Sequence, residues 1–228
     1  MVNYLKQNDK SGFLIKIYFL ITAILVVAET FKITNLLYCS KPLLIPCLVI
    51  LYFSHSNNRS FWYLLALFFA LISNILFIST DQDFLLYGIV SFMIYRILSI
   101  VTILKLTDKI LIFPLVLATL PFIFIFSGLI NLTISTNSTS FYPVVANGLF
   151  ISVFSGIALS NFVMNDNKQN SWLIISALLF MVLVFLFMFQ KYYISNIAFQ
   201  PLSALIFSVA HYTFYKFVVE SEEDIKQE

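Results

Sequence analysis

The chain has 228 residues, of which 61% are hydrophobic and 11% charged, with a mean hydropathy of +0.95. A soluble domain carries about 25% charged residues, so charges this sparse cannot cover a water-soluble globule, and a cytosolic or secreted enzyme is excluded. Twenty-six Phe and twelve Tyr beside five Gly exclude a disordered or collagen-like chain. The formal net charge of +2 is too small to indicate nucleic acid as a partner.

In chain order the sequence offers eight apolar windows, at Phe13–Ala28, Leu36–Phe53, Phe61–Ile78, Phe84–Leu104, Ile110–Ile130, Phe141–Val163, Trp172–Phe189 and Ile194–Val218. Each approaches the roughly 20 apolar residues that a spanning helix needs. The polar links between them are short, and no link can hold a separate soluble domain. A membrane β-barrel would instead show alternating segments of about ten residues. The expected fold is therefore all-α, a polytopic membrane bundle of eight transmembrane helices. It forms one domain over 1–228, with a cytoplasmic segment at 1–12 and an acidic, solvated tail at 219–228.

Lys and Arg set the expected orientation. The side shared by both termini holds eight of them (Lys6, Lys10, Arg59, Lys105, Lys109, Lys168, Lys216 and Lys226), and the opposite side holds Lys32 and Lys191. This places both termini in the cytoplasm. No small-x-small cleavage site follows the first apolar run, so the N-terminus does not read as a cleavable signal peptide. The sequons at Asn131 and Asn137 lie in a loop made almost wholly of Asn, Ser and Thr, where chance accounts for them. Cys39 and Cys47 would sit about 12 Å apart along one helix, too far for a disulfide.

Polar groups inside the membrane are costly, which makes them the candidates for function. Arg96 falls near the middle of the fourth window, too deep to snorkel, and reads as a phosphate or carboxylate clamp or as a structural partner of helix carbonyls. Lys41 precedes Pro42 early in the second window; it either reaches the outer interface or pairs with Glu29, the acid that borders the first apolar window. Lys16 snorkels toward the cytoplasmic interface. His211, in the last window, is either a proton donor and acceptor or a hydrogen-bonded structural histidine. Ser73 and Asn74 can bond across to another helix, and Ser152, Gly156 and Ser160 form a small-residue stripe that reads as close helix packing. Pro46, Pro114, Pro121, Pro143 and Pro201 can kink helices and free carbonyls.

Two His on separate segments fall short of the usual metal ligand sets, so no metal or other cofactor is expected. Neither a phosphate-binding Gly-rich loop nor a G-x-S-x-G elbow occurs.

Several short motifs carry a resemblance. KPLL begins the second window, Ser73-Asn74 ends the third, a Gly-x3-Phe-x3-polar series runs through Gly88, Phe92 and Arg96, Gly148 and Ser155 lie in the sixth, and Phe207 to His211 lies in the last. Together, from about Lys41 to Tyr215, the chain resembles the YhhN-type lysoplasmalogenases. That resemblance implies a hydrolase cleaving the vinyl-ether bond of lysoplasmalogens, a class of lysophospholipid, to a fatty aldehyde and a glycerophospho-head group. A bacterial inner membrane is the implied location, with membrane lipids as surroundings. It implies His211, Asn74 and Ser73 as catalytic residues and Arg96, Lys41 and Ser155 as substrate-binding residues. Asn74 stands where the family has Asp, Arg96 where it has His, and Gly156 where it has Asp or Asn. Vinyl-ether hydrolysis wants a general acid and a carboxylate opposite the oxocarbenium ion; these replacements remove the carboxylates and leave His211 as the acid. The alternative is a non-catalytic lipid-binding or transport protein on the same scaffold.

Overall fold

The computed structural model describes residues 2–56, 58–79, 81–107, 111–194 and 196–224, with side chains described from residue 12 onward. Lys109, Lys226 and the last residues of the acidic end lie outside the described residues, as do the side chains of Lys6 and Lys10.

The apolar windows fold as helices, in the order α1 (Val2–Phe31), α2 (Thr34–His55), α3 (Phe61–Leu76), α4 (Gln82–Leu106), α5 (Ile112–Thr133), α6 (Phe141–Met164), α7 (Lys168–Tyr192) and α8 (Phe199–Asp224). Polar residues in the links start them: Ser60 caps α3 through the Tyr63 amide, Asp81 caps α4 through the Asp83 amide, and Asn167 caps α7 through the Asn170 amide. Each cap satisfies a backbone donor that the first helical turn leaves open. Of the prolines, Pro42, Pro46 and Pro121 sit inside helices, whereas Pro114, Pro143 and Pro201 fall in first turns, where a missing amide costs nothing.

Two expectations change. Among the described residues seven helices are long and apolar enough to cross a membrane, but α3 has 16 residues, about 24 Å of helix against a hydrocarbon core of about 30 Å. The helix ends at Leu76, and the ring of the following Phe77 lies against Gly88 of α4, where an added Cβ would be 2.6 Å from it. The acidic end is not a solvated tail over its described part. Instead α8 continues to Asp224, with Val219, Ser221 and Glu222 buried. The Glu222 carboxylate accepts from the Tyr52 hydroxyl at 2.5 Å, from the Ser60 amide at 3.1 Å and from the Ser56 hydroxyl. This ties the end of α8 to the α2–α3 corner.

Seven helices close a ring in the order α1, α2, α3, α4, α6, α7, α8, with α8 returning to α1; α5 packs outside it on α6 and α7. The Tyr18 hydroxyl donates to the Ser208 carbonyl at 2.7 Å across the α1–α8 seam. Gly156 allows α5 to approach α6, since a Cβ there would lie 2.9 Å from the Thr119 Cα. The Ser152 hydroxyl bonds back to the Gly148 carbonyl, so the small-residue stripe serves packing, as its spacing predicts.

Candidate functional site

One cavity of about 160 Å³ opens among the helices of the ring. Its wall takes residues from the end of α1, the start of α2, the end of α3, the starts of α4 and α6, the end of α7 and the start of α8. Neighbouring helices of the ring therefore run antiparallel except α4 and α6, which run in the same direction, and the cavity lies at the end of the bundle opposite the start of α1 and the end of α8.

Most of the lining is apolar, but its polar side chains converge. Lys41 Nζ lies 2.7 Å from Glu29 Oε1, with both side chains largely buried. Of the two alternatives for Lys41, the ion pair is therefore realised. It faces the cavity instead of being sealed in the packing. The Asn74 amide donates to the Lys41 carbonyl at 2.8 Å, which fixes the start of α2 against α3 and leaves Asn74 Oδ1 to accept from a water or ligand. Asn147 and Ser203 also line the cavity, and Asn147 Oδ1 and Ser203 Oγ are buried with no hydrogen-bond partner. Buried polar atoms are rarely left unpaired, so a cavity that presents two of them suits a polar ligand group. Lys191 stands exposed at the mouth, without an acidic partner among the described ion pairs.

The other expected site residues lie elsewhere. Ser73, one residue before Asn74, donates instead to the Gly88 carbonyl at 3.0 Å and does not line the cavity. Arg96 is fully buried, and its three guanidinium nitrogens have no hydrogen-bond partner. Among the described residues no carboxylate pairs with it. Instead the guanidinium carbon lies 4.4 Å from the Phe180 ring centre, 5.1 Å from Phe92, 5.1 Å from Phe154 and 5.6 Å from Tyr95. Aromatic faces attract such a cation. His211 is buried too; its Nδ1 donates to the Phe207 carbonyl at 2.8 Å, and its Nε2 has no partner. The imidazole stacks on Tyr95 and lies 4.1 Å from the Phe207 ring. Phe92 and Phe207 themselves line the cavity, so these rings stand between the cavity and the two buried bases. Ser155 is buried with its hydroxyl unpartnered and does not line the cavity.

The structure thus brings Lys41 and Asn74 together and leaves Ser73, Arg96, His211 and Ser155 outside. It adds Glu29, Asn147, Lys191 and Ser203. An amide inside the sixth apolar run was a readable signal for Asn147; nothing in the sequence draws Ser203 toward the others. Among the described residues no group of three or more His, Cys, Asp or Glu gathers as a metal site.

Neither a curated protein nor a solved structure matches the chain. A family model does match, that of the YhhN family, over residues 36–219. That segment runs from α2 to the last turns of α8 and includes every lining element of the cavity except α1. The chain is therefore a member of the YhhN family.

Proposed function

We propose that this protein is a lysoplasmalogenase-type hydrolase, which cleaves the vinyl-ether bond of a lysoplasmalogen to a fatty aldehyde and a glycerophospho-head group. The observation that carries this reading is the cavity itself, apolar over most of its wall, with Lys41, Glu29, Asn74 and Asn147 converging in it and Lys191 at its mouth. A single-chain phospholipid has the same distribution, an apolar chain joined to a short polar stretch with a phosphate. Lys191 meets the phosphate as a point charge. Asn147 Oδ1 and Ser203 Oγ take the glycerol hydroxyl, and Asn74 orients the attacking water.

All eight helices span the bilayer in this reading, α3 with help from the residues flanking it. Both termini then lie on the cytoplasmic side of a bacterial inner membrane, and the cavity opens in the outer half. Arg96 and His211 act behind the floor rings: Arg96 packs against Phe92, and His211 holds the Phe207 backbone and ring. They position the floor and do not meet the substrate.

The test is aldehyde release from lysoplasmalogen by the purified protein in detergent, beside a His211→Ala variant. Turnover is expected in the parent, with a loss of less than about tenfold in the variant. General acids contribute about 100-fold or more, so a loss of that size would restore His211 to the acid's role. The alternative, a lipid-binding or transport protein, is favoured by Asn74 and Gly156 standing where the family resemblance implies acids. It predicts saturable lysolipid binding without aldehyde.

A further inference from the structure

The proposed reaction needs a carboxyl group, and the family-matched segment places none in the cavity: Asn74 lines it without charge, and Gly156 faces Thr119 of α5. Glu29 does line it. It is the one acid among the lining residues, its carboxylate is buried beside Lys41, and it comes from α1, outside the segment that matches the family. On the reading proposed above, we propose that Glu29 is the catalytic carboxyl group of this protein, with Lys41 as its proton partner.

The chemistry balances on this pair. At rest it holds one mobile proton, on Lys41 as ammonium beside the Glu29 carboxylate. Passing that proton across the 2.7 Å contact to Glu29 gives a neutral acid and a neutral amine. Glu29 then protonates the alkenyl carbon beyond the ether carbon, and the double-bond electrons form the new C–H bond. Positive charge is left shared between the ether carbon and oxygen, facing the carboxylate just formed. Water adds to the ether carbon and gives one proton to Glu29, which returns it to Lys41. The resulting hemiacetal collapses as its hydroxyl proton moves to the glycerol oxygen by way of Glu29. The bond between the former ether carbon and the glycerol oxygen breaks, with its electron pair going to oxygen. The products are aldehyde and alcohol, and the ion pair is restored.

A carboxylate in an ion pair between two helices also has a structural use, so the test must separate the two roles. Aldehyde release and thermal unfolding in detergent are measured for the parent, Glu29→Gln, and the exchanged pair Glu29→Lys with Lys41→Glu. The exchange keeps a cation against an anion at the α1–α2 contact but moves the carboxylate off α1. Turnover is expected to fall at least about 100-fold in Glu29→Gln. The exchanged pair is expected to regain the parent's unfolding temperature without regaining turnover. Turnover in Glu29→Gln within threefold of the parent, or an exchanged pair that recovers turnover along with stability, would overturn the role of Glu29 and leave the hydrolase reading standing. A folded, lipid-binding parent that releases no aldehyde would overturn both.

Discussion

At Arg96 a guanidinium sits at full burial with four aromatic rings and no acid around it. A central Arg costs about 2.5–3.5 kcal/mol on the membrane-insertion scale, and each desolvated ring contact offsets about 0.5–2 kcal/mol. Taken at the lower figure, the four rings offset about 2 kcal/mol and leave the two sides close. Arg96→Met is therefore expected to change unfolding free energy in detergent by less than about 1.5 kcal/mol; a loss above 3 kcal/mol would mean that the charge has a stronger partner than the rings. Phe180 gives the nearest ring, so a double-mutant cycle of Arg96→Met with Phe180→Leu is expected to show a coupling of about 1 kcal/mol. That Arg96 lies too deep to snorkel was readable from its place in the window. That it is caged by rings was not, because Phe154 and Phe180 come from α6 and α7, far from it in sequence.

Single contacts between helices set how the elements meet. A methyl group at Gly156 would lie 2.0 Å from Thr119 Oγ1 and 2.9 Å from the Thr119 Cα, and backbone cannot step aside as a side-chain tip can. Gly156→Ala is expected to cost about 1–3 kcal/mol by overpacking, read as a lower unfolding temperature; no loss would show that α5 rides freely on α6. At the other end, Glu222 accepts three hydrogen bonds from the α2–α3 corner. Glu222→Ala is expected to cost about 1.5–3 kcal/mol, the range for hydrogen bonds to a charged group, whereas a solvated tail would lose nothing. The seven long helices and the packing role of the Ser152–Gly156–Ser160 stripe follow directly from composition and spacing. The short α3 and the buried end of α8 do not, since hydropathy reads Phe77 as membrane and Glu222 as water. Contacts with Gly88 and Tyr52 decide otherwise.

For the whole molecule, the orientation proposed above places both ends of the chain in the cytoplasm. A reporter active only there is expected to work when fused at either end; activity at one end alone would mean that α3 does not cross. The cavity was only partly legible for the same reason of scale. Lys41 and Glu29 fall on one side of the membrane by simple counting, so their pairing was one of the two readings that the sequence left open, and the ion pair decides between them. Asn147, Lys191 and Ser203 join them only because the ring brings α6, α7 and α8 to the same place. That ring has a consequence for biosynthesis. Leu25 and Glu29 of α1 share the cavity with Gln200, Ser203 and Phe207 of α8, and α8 follows α1 in the chain with six helices between them. No partly made chain contains the finished cavity. The pocket is complete only once α8 has joined α1, so a chain stalled on the ribosome before α8 carries Glu29 and Lys41 but lacks the wall that would hold a lipid against them.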